Sequence, residues 1–511
     1  MAFSLLPPEL VISTLVLASF YVYTKLWNPE YTMDWPVLGM LPPVVAGLHS
    51  FQDNLTVALA ASACNIKARG PLGSGMRFFV TSDPSNVRHI FTSNHANYPK
   101  GEDMADIFDI IRGTLFTVDG EPCRQQRAMN HSILNNPRLL AFRARLCRDK
   151  VVNGLLPFLA RMASSRNPFD MRELLTRLVF DLTATPTFGV DPGYLSMPTT
   201  TSCSMMHMPS MHVCTAMDTV MDDVGLLRHA LPPSLWKAMR HLDVGPERKL
   251  AVAHKQLHGF LRETAAKRKP GSRCDDEVEA AVDILFADPV YGGGGFPLYN
   301  ILILFMFAGR DTVGTALPWL FYSLAKNPRV VSAIRKELAP PIDSSSNTMV
   351  FFEPEETKGL VYLEAAILET LRLYPPGPLE RKTVLADDVL LSGHRLCSGE
   401  TILVSIYAMG RMEALWGEDC HEYKPERWLS RSNDGAANKL RYVPSHKFMA
   451  FNSGPRLCLG KDIALEQMKT VVAAVVWNFD VELLQGQIIE PKLSCTLQMK
   501  NRLMVTANKT N

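Results

Sequence analysis

One ten-residue segment near the carboxyl end constrains the fold of this chain more than any other feature of its sequence. It reads Phe-Asn-Ser-Gly-Pro-Arg-Leu-Cys-Leu-Gly from Phe451 to Gly460, so two glycines and a proline surround Cys458, and an amphipathic helix is predicted to begin near Lys461. A thiolate placed just before a helix N-terminus is stabilised by the helix dipole and by backbone N–H donors. Gly460 would let the backbone approach a flat cofactor, and Arg456 could pair with an anionic group. The alternative is a structural cysteine in a turn.

The overall composition of the 511 residues excludes several classes of function. The formal net charge is only +2 and no long run of like charge is present, so a nucleic-acid partner is not expected. The ten cysteines are scattered and include no Cys-x-x-Cys pair, which favours reduced thiols in a cytosol-facing compartment over a disulfide framework. No Gly-x-Gly-x-x-Gly dinucleotide motif and no second redox domain are evident.

The N-terminal segment is predicted to be a membrane anchor. Leu10 to Tyr23 is uncharged and mostly apolar, and neither a basic start nor an Ala-x-Ala cleavage site accompanies it. We therefore expect an uncleaved anchor over residues 1–28, a proline-containing linker over residues 29–49 and a globular domain over residues 50–511. The alternative for the first segment is a buried N-terminal helix.

The remainder of the chain has a mainly helical pattern. Apolar residues recur at three- and four-residue spacing in six stretches, namely 137–165, 170–185, 248–268, 301–326, 359–373 and 461–478. Short β-like runs occur at 77–81, 400–406 and 502–506. This pattern predicts a mainly α (α+β) fold with small β-sheets and without a doubly wound sheet. Residues 199–216 are rich in Thr, Ser, Met and His and are predicted to form a surface excursion.

The cysteine loop resembles the haem-binding signature of the cytochrome P-450 superfamily. The resemblance implies the cytochrome P-450 fold and a haem b cofactor whose iron takes Cys458 as its axial ligand. Phe451, Arg456 and Gly460 would then lie beside the cofactor, with Arg456 on a haem propionate. The resemblance extends over nearly the whole chain, and its motifs occur in the family's order.

Two further segments match the family's Glu-x-x-Arg helix and its second arginine segment. The first is Glu369-Thr-Leu-Arg372, in which the two charged side chains share one helix face, and the second is Pro-Glu-Arg-Trp around Arg427. Alone, the first pair is a weak signal, because most such pairs are solvated surface contacts. The resemblance implies a buried structural cluster of Glu369, Arg372 and Arg427 that holds the loop leading to the cysteine.

A third match follows a run of seven apolar residues, 301–307. The segment Ala308-Gly-Arg-Asp-Thr312 lies in a helix that is apolar on all sides and is therefore predicted to be buried. Gly309 could leave room for a flat ring or a ligand, and the Thr312 hydroxyl can bond back to a helix carbonyl. The resemblance implies that Asp311 and Thr312 deliver protons during activation of dioxygen. The alternative, a kinked core helix, would be favoured without the cysteine loop.

One position departs from the family. Near the haem the family often carries a Trp-x-x-x-Arg pair that binds a propionate, whereas this chain has Cys123 four residues before Arg127. Arg127 is carried over as a propionate ligand, but the indole N–H donor is missing. Lys382 is a further propionate candidate.

The resemblance narrows to the plant branch that oxidises fatty acids and alkanes. It implies insertion of one atom of O2 into a C–H bond of a hydrophobic substrate, with electrons from NADPH through NADPH–cytochrome P-450 reductase. It also implies a single-pass anchor in the endoplasmic reticulum membrane and a cytosolic catalytic domain. Candidate substrate contacts are Phe108, Ile111, Ala308 and Leu379, for which core packing is the alternative. Two other functions stay open: an oxidase that couples phenolic or alkaloid substrates, and a non-catalytic haem-binding protein.

Overall fold

Helices make up most of the chain that the computed structural model describes. The described residues are Ser13, Thr14, Ala18, Trp35, 37–195, 211–223, 227–267, 280–287, 298–338, 349–430 and 439–510. Within them the α-helices are α1 (Leu41–Ala46), α2 (Phe51–Ala61), α3 (Pro84–Arg88), α4 (Glu102–Ile107), α5 (Gly120–Leu134), α6 (Pro137–Lys150), α7 (Leu156–Ser165), α8 (Met171–Phe188), α9 (His212–Asp223), α10 (Pro233–His241), α11 (Gly245–Lys267), α12 (Ala281–Ala287), α13 (Leu298–Met306), α14 (Thr312–Lys326), α15 (Pro328–Leu338), α16 (Pro354–Lys358), α17 (Val361–Leu373), α18 (Ile406–Met409), α19 (Glu413–Trp416) and α20 (Lys461–Asn478).

The strands form small sheets. Their bounds are β1 (Asn65–Arg69), β2 (Arg77–Thr81), β3 (Phe169–Asp170), β4 (Leu379–Thr383), β5 (Asp388–Val389), β6 (Arg395–Leu396), β7 (Thr401–Ser405), β8 (Leu429–Ser430), β9 (Lys439–Leu440), β10 (Phe479–Leu483) and β11 (Met504–Lys509). The largest sheet has the order β1-β2-β7-β4, in which only β2 and β7 are parallel. A second sheet has the order β10-β11-β3, and β5-β6 and β8-β9 are separate pairs.

Four helices carry most of the largest apolar core. Buried faces of α8, α14, α17 and α20 pack together, with side chains such as Leu178, Leu317, Ile367 and Val472 fully removed from solvent. Burial of such side chains is the main favourable term in folding. Because α20 begins directly after the cysteine loop, this core fixes the position of that loop.

The described helix with the length and hydropathy of a membrane span is Leu298–Lys326, which joins α13 and α14. Its most apolar window is 72% buried inside the protein, so this helix belongs to the core. The predicted anchor over residues 1–28 lies almost wholly outside the described residues. Part of the predicted linker is described, and it packs on the first sheet: Met40 N–H donates to the Arg69 carbonyl over 2.8 Å, and Leu41–Ala46 is helical.

The predicted helical stretches are confirmed, and the stretch at 461–478 coincides with α20. The predicted strands correspond to β2, β7 and β11. The predicted surface excursion is wrong at its end, because α9 begins at His212 and buries Cys214 and Ala216. Residues 199–210 lie outside the described chain.

Candidate functional site

The loop that carries Cys458 is closed by its own backbone and by a close contact with an upstream segment. Cys458 N–H donates to the Phe451 carbonyl over 2.8 Å. Gly454 has φ +59°, and a Cβ at this position would lie 2.0 Å from the Phe91 carbonyl oxygen. Only glycine fits both the conformation and the contact, so this residue fixes the loop against the segment at residue 91.

The thiol of Cys458 is accessible although protein surrounds it. Its side chain is exposed, while burial raises the thiol pKa against the opposing effects of the Gly460 N–H and Arg127. A side chain that solvent reaches although protein surrounds it lies in a recess, so Cys458 lies in a recess of the protein. A bound metal ion would deprotonate the sulfur.

Two arginines lie at this recess. Arg127 on α5 donates from Nη2 to the Leu457 carbonyl over 2.7 Å. Arg456 donates to the carbonyls of Leu115 and Val118, each over 2.7 Å, and forms an ion pair with Asp119. Backbone carbonyls thus hold both guanidinium groups beside the cysteine. Asp119 offsets the charge of Arg456, whereas Arg127 makes no ion pair among the described residues, so its charge is available for an anion.

A second basic pair lies on strand β4 and beside it. Lys382 is buried, and burial lowers the pKa of its ammonium group to about 8, with Lys100 and Arg456 acting in the same direction and Glu380 opposing them. Lys100, also buried, pairs with Glu380 over 2.8 Å. Lys382 thus lies close enough to Arg456 for the charge of Arg456 to lower its pKa. Two cations at this distance could bind the same anion.

Cys123, at the position where the family has tryptophan, is buried and makes one weak contact. Its Sγ lies 3.8 Å from the Leu115 carbonyl oxygen, which also accepts from Arg456. The thiol therefore contributes little hydrogen bonding on this side of the site. The neighbouring positive charge comes from Arg127 and Arg456.

The cluster of Glu369, Arg372 and Arg427 forms in the buried interior. Arg372 makes two hydrogen bonds to the Glu369 carboxylate, at 2.7 and 2.8 Å, and Arg427 makes another at 2.8 Å. The Trp428 indole N–H donates to the same carboxylate over 2.9 Å, and its ring packs against Phe448 with centroids 4.7 Å apart. This contact connects the cluster to the start of the cysteine loop.

The helix formed by α13 and α14 is interrupted by a π-helical turn, Phe307–Asp311. Such turns inside α-helices are frequent at functional sites. Gly309 lies in this turn, but a Cβ there would come within 2.6 Å of Thr183 Cγ2 on α8. The missing side chain thus makes room for Thr183, and a role of Gly309 beside a flat cofactor stays a prediction.

Asp311 belongs to a buried network that sequence reasoning did not identify. Arg310 Nη1 donates to Asp311 Oδ1 and to Asp218 Oδ1 on α9, each over 2.6 Å. Burial raises the pKa of Asp311 to about 6; Arg310 opposes this effect and Asp218 adds to it. Asp311 Oδ2 is buried without a hydrogen-bond partner among the described residues. This carboxyl group therefore keeps its proton to a higher pH than an ordinary aspartate does, up to about pH 6.

Thr312 and Ala308 lie one turn apart, next to Asp311. The Thr312 hydroxyl donates to the Ala308 carbonyl over 2.7 Å, as the sequence predicted. Ala308 is exposed although Met306, Phe307 and Arg310 around it are buried. Exposure at this point of a core helix indicates an open space beside it. The accessible Cys458 and the arginines beside it fit an anionic cofactor with a thiolate ligand.

The predicted substrate contacts Phe108, Ile111 and Leu379 differ in their relation to the helix that carries Ala308. Phe108 and Ile111 are buried in the same apolar cluster as residues 301–304, 306 and 307. Leu379, on strand β4, is half-buried. The Phe108 ring packs edge-to-face on Phe116, with centroids 5.1 Å apart. The first two candidates are thus placed beside the helix that carries Ala308.

Sequence reasoning missed several charged residues around the site. None of these residues is a fixed position of a motif. They are Lys100, Asp119, Asp218 and Arg310, whose contacts are described above. Most of their partners are distant in sequence, such as Arg310 for Asp218 and Arg456 for Asp119.

Comparison with known proteins matches this chain to one family model and to several plant proteins. The family model described as cytochrome P-450 matches residues 72–507. Noroxomaritidine synthase 2 of Narcissus pseudonarcissus is 34% identical over 515 residues, covering 98% of this chain and 96% of that protein. Cytochrome P-450 86B1 of Arabidopsis thaliana is 35% identical over 494 residues, 92% of this chain and 84% of that protein. Alkane hydroxylase MAH1 of the same plant is 33% identical over 500 residues, 96% of each chain.

Proposed function

We propose, from the premise that this chain belongs to the cytochrome P-450 family and is a monooxygenase, that it hydroxylates a long-chain fatty acid or alkane. The observation that carries the proposal is the apolar cluster that joins Phe108 and Ile111 to the helix beside the exposed Ala308. A long saturated chain makes few polar contacts and is bound by such a lining. The similarity to a relative named alkane hydroxylase supports the same substrate class.

The residues around the recess are proposed to hold haem b. Cys458 would supply the axial sulfur, Phe451 and Gly460 would shape the loop, and Arg127, Arg456 and Lys382 would pair with the propionates. When bound, the haem supplies the oxidation, in which one atom of O2 enters a C–H bond and the other leaves as water. The two electrons would come from NADPH through NADPH–cytochrome P-450 reductase. The enzyme is proposed to be anchored in the endoplasmic reticulum membrane by residues 1–28.

Asp311 and Thr312 are proposed to deliver protons. Asp311 keeps a proton up to about pH 6, and its buried, unpartnered Oδ2 is the atom from which that proton would be donated. The Thr312 hydroxyl would pass it on after leaving the Ala308 carbonyl. Thr312→Ala should lower product formation about tenfold or more while haem remains bound, and Thr312→Ser should retain most activity. Unchanged turnover in the alanine variant would contradict this role.

The second candidate is an oxidase that couples phenolic or alkaloid substrates. It is favoured by the relative named noroxomaritidine synthase 2, whose identity to this chain is close to that of the alkane hydroxylase. Optical titration of the haem-loaded protein with alkanes, fatty acids and phenolic amines distinguishes the candidates, because a bound substrate shifts the Soret band. We expect a saturable shift with long-chain aliphatics. A shift with phenolic compounds alone would contradict the hydroxylase proposal.

A further inference from the structure

A largely buried arginine on strand β4 lacks a full set of partners. Arg381 follows Leu379 by two residues, so both side chains leave the same face of the strand. Its side chain is 10% exposed. The terminal nitrogens make long contacts, 3.4 Å to His229 Nδ1, 3.4 Å to Asp103 Oδ2 and 3.3 Å to Thr401 Oγ1. Nε is buried and has no hydrogen-bond partner among the described residues.

This arrangement leaves the charge of Arg381 poorly compensated. A guanidinium group has five N–H donors and keeps its charge in proteins. The carboxylate that approaches it belongs to Asp103, whose side chain is 64% exposed, so water weakens that pair. His229 adds no positive charge, because burial lowers its pKa to about 3, with Arg381 and Lys100 contributing. A buried cation without a strong partner favours binding of an anion.

The anion site differs from the proposed propionate site. The opposite face of β4 carries Glu380 and Lys382, and Lys382 lies close enough to Arg456 for that charge to lower its pKa. Burial lowers the pKa of Arg381, and the charge that opposes this effect is that of Asp103. The strand thus separates the basic group near the cysteine loop from Arg381.

An apolar path leads away from Arg381. The His229 ring packs edge-to-face on Phe108, with centroids 5.8 Å apart, and Phe108 belongs to the cluster that reaches Phe307. We infer that Arg381 binds the carboxylate of a fatty-acid substrate whose chain lies along Phe108 and the helix that precedes Ala308. The inference rests on the proposed function and selects fatty acids over alkanes within it.

The test compares ligands that differ only in the head group. A saturated fatty acid, its methyl ester and the alkane of equal length are titrated into the haem-loaded protein, with calorimetry as a second readout. The wild-type protein should bind the acid most tightly. Arg381→Leu should weaken acid binding about 10- to 100-fold and leave ester binding unchanged, which also shows that the variant is folded. Arg381→Lys should fall between the two.

Two further variants sharpen the result. Asp103→Asn removes a competing carboxylate and should strengthen acid binding severalfold. Arg395→Leu removes an exposed positive charge from β6 and should change nothing. Equal affinity for acid and ester in the wild-type protein, or unchanged acid binding in Arg381→Leu, would overturn the inference alone. Loss of haem from Arg381→Leu would assign the guanidinium to the cofactor instead. Binding of phenolic amines without any aliphatic ligand would overturn the proposed function as well.

Discussion

At residue 311 the chemistry depends on two carboxyl groups that share one guanidinium nitrogen. Asp218 and Asp311 both accept a hydrogen bond from Arg310 Nη1. Asp222, Cys214 and Cys495 lie nearby, and the charge of Asp222 further raises the pKa of Asp311. Although burial opposes ionisation of both, Arg310 holds the pKa of Asp218 below its usual value, while the pKa of Asp311 is raised to about 6. The proton of the pair therefore resides on Asp311.

This assignment predicts a pH dependence. As pH rises through about 6, Asp311 loses its proton, so product formed per NADPH consumed should fall with an inflection near pH 6. Asp311→Asn should remove the inflection. Asp218→Asn should shift it to lower pH, because Arg310 would then pair with Asp311 alone. Stability should respond as well: between about pH 4 and 6 the folded chain binds the extra proton, so its free energy of unfolding falls as pH rises. An unshifted inflection in Asp218→Asn would contradict the coupling.

At the scale of helices, the contact between α8 and the π-helical turn depends on Gly309. Gly309→Ala should lower the free energy of unfolding by about 1–3 kcal/mol, because the new Cβ overlaps Thr183. Thr183→Ala in the same protein should restore most of the loss. Gly314→Ala on the same helix is the control, since its Cβ would lie 3.9 Å from Val179, an ordinary contact. Thermal unfolding of the haem-loaded variants measures all three, and equal effects of the two glycine substitutions would refute the packing role.

The cluster at Glu369 joins α17 to the segment around Arg427. Glu369→Gln would leave Arg372 buried without a carboxylate and Arg427 with Asp419 alone, at a cost of about 3–5 kcal/mol. The matched control is Glu426→Gln, because Glu426 pairs with Arg329 over 2.8 Å on the exposed surface and should contribute less than about 1 kcal/mol. Urea unfolding and haem content provide the two measurements. A Glu369→Gln protein as stable as the control would contradict the structural role.

Elements that obey a local period could be predicted from sequence, whereas contacts between distant segments could not. Helix α20 and strand β2 were expected at residues 461–478 and 77–81 and occur there. The π-helical turn at 307–311 was not expected, and its contact with α8, where Gly309 meets Thr183, joins distant segments. Arg381 and Asp218 escaped prediction for the same reason: their partners, His229 and Arg310, lie 152 and 92 residues away.

At the scale of the whole molecule, the first sheet joins the N-terminal part of the domain to residues 379–383 and 401–405. Strand β7 pairs in parallel with β2 and antiparallel with β4, so residues 77–81, 379–383 and 401–405 share one sheet. The segment before α2 extends this unit, since Trp35 and Gly39 form a β-bridge and Leu72 N–H donates to the Val37 carbonyl over 2.8 Å. Residues from 35 onward thus contribute to the fold.

Two truncations test where the proposed anchor ends and the folded unit begins. Removal of residues 1–28 should release the protein from membranes into the alkaline-wash supernatant while its thermal stability is unchanged, because the bonds of residues 35–40 remain. Removal of residues 1–49 should also lower thermal stability, since the contacts of Met40 and Gly39 with Arg69 are lost. Each truncated protein is compared with the full chain in the same cells. If the shorter truncation stayed in the membrane pellet, the anchor assignment would be wrong. If the two truncations were equally stable, residues 29–49 would act only as a linker.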